Sequence, residues 1–260
     1  MTIQFFSPRG PGNEILKLPR AYRRSVKWLP QIGDIVPDFT VATTQGELGF
    51  WEWASGSWVH LFSHPAAFTP VCTTEVASLA SYDAAWDANN VKVLGLTGST
   101  VPELKAWHQE IEEFFDTRVT FPTAHDPGLQ LSRLFGMMHE KESQDWAIRK
   151  SFVIDPALRL QMIFEYPIFV GRNTEEILRV IQALQLRAKT GAATPSDWYS
   201  GDVAIIPDDV SEEEVWAHFG TTSTQLRKYL RVALPRARGQ NPLSPVRYAL
   251  DAPDQPPPCG

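Results

Sequence analysis

The chain has 260 residues, of which 43% are hydrophobic and 21% charged, so it can bury a full core and is neither a disordered nor a fibrous sequence. Its net charge of −6 argues against general nucleic-acid binding, because no overall positive field attracts a phosphate backbone. No apolar run approaches the roughly 18 residues of a membrane span, so we expect a soluble protein.

Residues 1–30 form a basic arm in which six Lys and Arg side chains are opposed by Glu14 alone. Such an arm is typical of a solvated extension and also of an organelle transit peptide. The two cysteines, Cys72 and Cys259, provide neither a disulfide framework nor a zinc-ribbon spacing. A chain with only two widely separated cysteines fits a reducing compartment best. We therefore expect the cytoplasm, and we leave organelle targeting by the basic arm open.

From residue 31 to 192, short β-rich runs alternate with stretches of helical periodicity, which predicts an α/β fold with a mixed central sheet flanked by helices. The clearest strands are Trp58–Ser63, Val91–Thr97, Ser151–Ile154 and Leu160–Tyr166. A turn at Asp155-Pro156-Ala157 makes the last two an antiparallel hairpin added to a parallel sheet. The predicted helices are Thr73–Asn89, Pro102–Phe115, Leu129–Phe135 and Thr174–Lys189, the last with an N-cap at Asn173 and a stop at Gly191.

A small α+β domain is predicted over residues 193–235. It contains a strand at Val203–Ile206, a helix after Ser211 with a Ser-Glu-Glu-Glu capping box, and a strand at Tyr229–Ala233. A unit of this size is too small to be stable alone, so we expect it to pack on the main domain or on a partner subunit. Residues 236–260 hold six prolines and predict an extended tail.

The segment between His64 and Glu75 carries the chemistry, because it joins an apolar strand to a helix and places Cys72 at the helix start. Unpaired backbone N–H groups and the positive end of the helix dipole favour the thiolate there, and the thiolate is the nucleophile. Thr69 can hydrogen-bond the sulfur or an incoming oxygen. Pro65 and Pro70 stiffen the loop and remove competing N–H donors.

A thiolate in this setting needs a fixed cation, and Arg149 precedes a neighbouring strand of the same predicted sheet. Arginine suits this position because it stays charged when desolvated and its fork of donors can hold both a sulfur and a peroxide oxygen. A lone cysteine is usually buried and inert. The proline-rich loop, Thr69 and the helix-start position of Cys72 together favour a nucleophile.

These residues carry a family resemblance. The pattern Pro65-x3-Thr69-x2-Cys72 resembles the active-site motif of the peroxiredoxins, and the whole string from His64 to Glu75 is similar to their one-cysteine subfamily. Further similarity extends over 31–235 and includes Arg149 and Tyr166-Pro167-x3-Gly171-Arg172-Asn173. The resemblance implies a thioredoxin-like fold, no cofactor, and a C-terminal unit that packs across a homodimer, which can assemble further.

Carried over by position, the resemblance makes Cys72 the peroxidatic cysteine, with Thr69 and Arg149 aligning the peroxide and Pro65 shielding the sulfenic acid. His64, Glu75 and Arg172 would flank this site. The thiolate attacks the O–O bond of hydrogen peroxide or a small organic hydroperoxide. An external thiol, such as thioredoxin, glutathione or another small thiol, must then restore the cysteine.

Two alternatives remain at this point. Cys259 is either an incidental thiol or a resolving cysteine carried by the tail. The protein is either a peroxidase that turns over or a redox sensor or chaperone-like interaction protein that uses the same Cys72. A metal site is not expected, because His60 and His64 on a strand lie roughly 13 Å apart.

Overall fold

The computed structural model describes the backbone of Ile3–Gln4 and residues 29–235. The chain divides into two compact units, the first ending at Glu176 and the second beginning at Ile177. The predicted boundary between residues 192 and 193 remains a prediction. The tail 236–260, with Cys259, and nearly all of the basic arm lie outside the described residues.

The first unit is an α/β unit. Its strands are β1 (Ile3–Gln4), β2 (Asp38–Thr43), β3 (Gly46–Gly49), β4 (Trp58–Ser63), β5 (Val91–Thr97), β6 (Thr123–His125), β7 (Arg149–Ile154) and β8 (Leu160–Tyr166). Its helices are α1 (Phe50–Ala54), α2 (Pro70–Ser81), α3 (Asp83–Ala88), α4 (Val101–Phe115), the 3-10 turn Pro127–Leu129, α5 (Gln130–Leu134) and the start of α6 (Thr174–Thr190).

The strands form one sheet in the order β1-β2-β6-β5-β4-β7-β8, with β3 also paired to β2. Strand β4 is central: it runs parallel to β5 and antiparallel to β7, and all six of its residues are buried. Strands β7 and β8 are antiparallel neighbours. The predicted mixed sheet, flanked by helices and carrying an antiparallel hairpin, is therefore confirmed.

The two faces of β4 have different surroundings. Val59 and Leu61 belong to the main hydrophobic core, together with Phe152 and Ile154 of β7. Because side chains alternate along a strand, His60 and Phe62 lie on the other face. The register pairs Phe62 with Ser151, so this second face also carries the alternate residues of β7, beginning at Arg149.

The single helix predicted over Thr73–Asn89 is wrong, because two helices, α2 and α3, occupy this region. The break lies at Tyr82, whose dihedral angles of −96° and 14° leave the α-helical region. The indole N–H of Trp86 donates to the Leu79 carbonyl across the break, at 2.9 Å. The same carbonyl accepts a longer hydrogen bond from the Tyr82 N–H, at 3.3 Å, in place of the bond that a continuous helix would give it from the residue four positions ahead.

The elements of the second unit are β9 (Ala204–Ile205), α7 (Glu212–Phe219), β10 (Thr224–Arg227) and β11 (Leu230–Ala233), together with most of α6. The three strands form an antiparallel sheet in the order β10-β11-β9. A small core includes Ile206, Val215 and Phe219. Ser211 forms the predicted capping box with Glu214, which confirms the helix start. Strand β10 was not predicted.

Candidate active site

The loop after β4 delivers Cys72 into the first turn of α2. Thr69 is the N-cap residue in an extended conformation, and Pro70 is the first helical residue. Proline is favoured at this position because its fixed φ suits the helix and its missing N–H needs no partner. Cys72 is fully buried, and its backbone lies among the N–H groups that have no intrahelical acceptor.

Arg149 holds a positive charge against the sulfur. Its Nη1 lies 3.3 Å from Cys72 Sγ and donates to Glu75 Oε2 at 2.6 Å, while its Nε donates to the Ile168 carbonyl at 2.6 Å. The side chain is only 2% exposed. The guanidinium is thus fixed at hydrogen-bond distance from the sulfur in a site that excludes water.

Glu75 links Arg149 to Arg172. Its Oε2 accepts from Nη1 of Arg149 and from Nη2 of Arg172, at 2.6 and 2.8 Å. Its Oε1 accepts from the backbone N–H and the Nε of Arg172, at 2.8 and 2.9 Å. Burial alone would raise the pKa of this carboxyl, but the charges of Arg172 and Arg149 and these hydrogen bonds outweigh burial and lower the pKa from its usual 4.5.

Thr69 and Pro65 lie in the same loop as Cys72. The Thr69 hydroxyl donates to the Ala66 carbonyl at 2.9 Å, and the Thr69 carbonyl accepts from the N–H of Thr73 at 2.9 Å. Pro65 is buried, and its carbonyl accepts from the Thr97 hydroxyl. The structure thus brings Cys72 and Arg149 into direct contact and places Thr69 and Pro65 on the chain that leads to the sulfur.

His64 is a neutral buried ring at the start of this loop. Burial lowers its pKa to about 3, with the Arg172 charge as a further cause. The ring lies 5.3 Å from that of Trp107 and 5.9 Å from that of Phe62, measured between centroids. Of the three flanking residues predicted, Glu75 and Arg172 therefore join the hydrogen-bonded network around Cys72, and His64 packs among aromatic rings.

Sequence reasoning assigned no role at this site to two polar residues behind the network: it weighed His60 only as a metal ligand and did not consider Ser151. His60 Nε2 lies 3.1 Å from Ser151 Oγ, which accepts from Nη1 of Arg172 at 3.1 Å. The available signal was the histidine between apolar residues of β4; Ser151 carries no comparable signal, because β7 begins with Arg149 and Lys150. Within the described residues, no group of three or more His, Cys, Asp or Glu side chains is placed to hold a metal ion, and no helix is long and apolar enough to cross a membrane.

A buried cysteine at a helix start, in contact with an arginine and placed on a mixed α/β sheet, fits a thiol-dependent redox enzyme. Comparison with family models matches residues 32–163 to the AhpC/TSA family and residues 183–222 to the C-terminal domain of 1-Cys peroxiredoxin. The chain belongs to the AhpC/TSA family and, within it, to the 1-Cys peroxiredoxins, which are thiol-dependent peroxidases.

Similar proteins span most of the chain. Peroxiredoxin PRX1, mitochondrial, of Saccharomyces cerevisiae is 40% identical over 221 residues, which cover 82% of this chain and 84% of that protein. The 1-Cys peroxiredoxin of Dictyostelium discoideum is 34% identical over 202 residues, covering 78% of this chain and 84% of that protein.

Solved structures confirm the thioredoxin-like fold. The yeast mitochondrial 1-Cys peroxiredoxin, whose thiol resolving mechanism is described via glutathione/thioredoxin systems, has a TM-score of 0.71 and 39% identity and covers 79% of this chain and 99% of that one. A cysteine-to-serine mutant of peroxiredoxin 6 of Arenicola marina also has a TM-score of 0.71, with 31% identity, and covers 79% of this chain and 98% of that one.

Proposed function

We propose that Cys72 is the peroxidatic nucleophile of this peroxidase, that Arg149 and Thr69 align the peroxide, and that Pro65 shields the sulfenic acid. The observation that carries the proposal is the 3.3 Å contact between Arg149 Nη1 and Cys72 Sγ, with both side chains buried. A cation in this position stabilises the thiolate before reaction and the negative charge that moves onto the peroxide during it.

The reaction follows from this geometry. The thiolate of Cys72 attacks one peroxide oxygen, an S–O bond forms as the O–O bond breaks, and the other oxygen leaves as alkoxide or hydroxide and takes a proton from solvent. The cysteine becomes a sulfenic acid, and the peroxide is reduced to alcohol or water. Arg149 is already in place to stabilise the developing negative charge, because Glu75 and the Ile168 carbonyl fix its guanidinium from two sides.

Reduction of the sulfenic acid needs a thiol, and Cys72 is the only cysteine among the described residues. A first external thiol forms a mixed disulfide with Cys72 and releases water, and a second thiol displaces Cys72 as the reduced residue. The glutathione/thioredoxin systems described for the similar yeast protein support these reductants for this chain. A resolving role for Cys259 stays a prediction.

The test is intact-mass spectrometry of the reduced protein after one equivalent of hydrogen peroxide, with a sulfenic-acid trap present. We expect an adduct on Cys72 in the wild type and in Cys259→Ser, and none in Cys72→Ser. A dimer or a loss of two protons that requires both cysteines would make the tail a resolving arm. Failure of Cys72 to react would refute the proposal, and a single reaction without turnover on added thiol would favour the sensor.

A homodimer, or a larger assembly of dimers, is also proposed. Its support in the second unit is a set of large apolar side chains that remain at least 48% exposed, Leu226, Tyr229 and Leu234. Sedimentation of the wild type beside Tyr229→Ser and Leu234→Ser tests this assembly, and a wild-type monomer at micromolar concentration would contradict it.

The proposed compartment is the cytoplasm. The mitochondrial relative and the basic residues 1–30 support an organelle as the alternative. Localisation of the full chain beside a variant that lacks residues 2–28 distinguishes the two, because only an organelle protein would move when the arm is removed.

A further inference from the structure

A second layer of polar side chains lies behind the Cys72 site. Arg172 Nη1 donates to Ser151 Oγ at 3.1 Å, and Ser151 Oγ lies 3.1 Å from His60 Nε2. Ser151 and His60 are completely buried, and the Arg172 side chain is 3% exposed. The register of β4 and β7 explains the arrangement, since Ser151 is opposite Phe62 and His60 is the next residue on that face.

The chemistry of the guanidinium fixes the direction of one hydrogen bond, and the acceptors available to Ser151 assign the other. A guanidinium only donates, so Ser151 Oγ must accept from Arg172. Among the described residues the hydroxyl proton of Ser151 has no acceptor other than His60 Nε2, so we assign Nε2 as the acceptor and the imidazole proton to Nδ1. Burial together with the Arg172 charge lowers the pKa of His60 to about 3, which favours this neutral form.

His60 carries a cost that an apolar residue would avoid. Its Nδ1 is buried and has no hydrogen-bond partner among the described residues, although its ring lies among Phe62 and Trp86. A buried unpaired donor is unfavourable, and leucine or isoleucine would fill the same strand position without that penalty. The feature that a histidine adds here is the acceptor at Nε2.

We propose that His60 and Ser151 are a positioning pair for the peroxidase site: His60 orients the Ser151 hydroxyl so that it accepts from Arg172, and Arg172 in turn fixes Glu75 and Arg149 around Cys72. This inference rests on the proposed function of Cys72 and adds two residues to it. Neither residue touches the sulfur. They act through Arg172, which shares the Glu75 carboxylate with Arg149.

The geometry explains why Arg172 needs this partner. Its Nε and Nη2 donate to Glu75, its Cζ lies 5.1 Å from the centre of the Phe62 ring, and its Nη1 donates to Ser151. The Lys150 carbonyl is a weaker acceptor for Nη1, at 3.4 Å. Without the serine hydroxyl, the guanidinium can turn about its side chain, and the carboxylate that aligns Arg149 turns with it.

The test compares matched variants of the full chain. Ser151→Ala removes the hydroxyl and Ser151→Thr keeps it; His60→Leu removes the acceptor and His60→Gln keeps one. Ser132→Ala is the control, because Ser132 is equally buried and its hydroxyl has no partner among the described residues. Two rates are measured for each variant: oxidation of Cys72 by hydrogen peroxide, and alkylation of Cys72 by iodoacetamide as a function of pH. Circular dichroism and thermal unfolding report folding.

We expect Ser151→Ala to slow peroxide oxidation about tenfold, the factor that corresponds to one lost hydrogen bond to a charged group. Its alkylation profile should move to higher pH, because a less well-placed Arg149 stabilises the thiolate less. His60→Leu should change both readouts in the same direction by a smaller factor, whereas Ser151→Thr, His60→Gln and Ser132→Ala should resemble the wild type. A purely structural pair would lower the melting temperature without moving the alkylation profile.

Folded Ser151→Ala and His60→Leu proteins with wild-type rates and profiles would overturn the pair. Should Ser151→Ala not fold, the comparison of His60→Leu with His60→Gln decides, and equal profiles for those two overturn the proposal. Slow peroxide oxidation of the wild type would refute the proposed function instead. The alkylation profiles still report the positioning of Cys72 in that case, so the two failures are distinguishable.

Discussion

Replacing Glu75 by glutamine removes one negative charge from between two buried guanidinium groups. The carboxylate accepts four hydrogen bonds of 2.6 to 2.9 Å from Arg149 and Arg172, whose side chains are 2% and 3% exposed. Glutamine has nearly the same shape, but its amide nitrogen would point donor hydrogens at donors. Removing one partner of a buried ion pair costs about 3–5 kcal/mol, because the remaining charge is left uncompensated.

For a unit of this size, that loss lowers the melting temperature by roughly 10 °C. Urea unfolding of the wild type and Glu75→Gln measures the difference, and Glu112→Gln on the exposed face of α4 is the matched control, with an expected change within about 0.5 kcal/mol. Stopped-flow oxidation by hydrogen peroxide measures the accompanying loss of activity, which we expect to reach at least tenfold from the displaced Arg149.

The pH dependence gives this prediction its sharpest test. The folded-state pKa of Glu75 lies below the usual 4.5, so the carboxylate contributes stability above pH 4.5 and loses that contribution as the pH falls through the folded-state value. The stability gap between wild type and Glu75→Gln should be constant from pH 8 to pH 5 and narrow in more acidic solution. A gap below 1 kcal/mol at pH 7, or one that widens in acid, would refute the reasoning.

Three further results are expected. Arg149→Lys should fold but react with peroxide roughly 10- to 100-fold more slowly in stopped-flow assays, because one ammonium cannot make all the contacts of the guanidinium; a wild-type rate would show that charge alone suffices. His60 and His64 have pKa values lowered to about 3, so the unfolded chain binds protons first and stability should fall as pH drops from 6.5 toward 3, by up to about 1.4 kcal/mol per pH unit for each histidine. When the free energy of unfolding is measured by urea titration at each pH, it should fall less steeply with decreasing pH in His64→Phe than in the wild type. An equal pH dependence would contradict the burial argument. Ser211→Ala should destabilise α7 by about 1 kcal/mol, measured by amide hydrogen exchange, and Ser211→Asp should restore the protection. Unchanged exchange in Ser211→Ala would mean that the capping box does not limit the stability of α7.

The strands that the sequence predicted best are those rich in apolar and β-branched or aromatic residues. Strands β4, β5 and β8 have the predicted bounds. In β4 four of the six residues are apolar, as a strand buried on both faces favours. Strand β2 went unpredicted, although residues 39, 41 and 43 alternate as its buried face. Strand β6 has three residues, too few for any periodicity to show. The helix break at Tyr82 could not be predicted, because no proline or glycine lies near it in the sequence.

The residues of the site also differ in how far the sequence alone could predict them. Cys72, Thr69 and Pro65 share one short segment, so local sequence carried the prediction that they lie together. The bridge from Glu75 to Arg172 joins residues 97 apart, and only the tertiary fold brings them into hydrogen-bond distance. The pair of His60 and Ser151 depends on strand register, which sequence patterns without a partner strand leave undetermined.

The long separation between the cysteine and its cations has a consequence for protein synthesis. Arg149 follows Cys72 by 77 residues, and Arg172 follows Glu75 by 97. A ribosome that has released α2 has therefore not yet made either cation, and such contacts between distant residues form late in folding. The nascent chain therefore lacks the contacts that surround Cys72 in the folded protein. From the proposed role of Arg149, we expect Cys72 to react rapidly with peroxide only after the fold is complete.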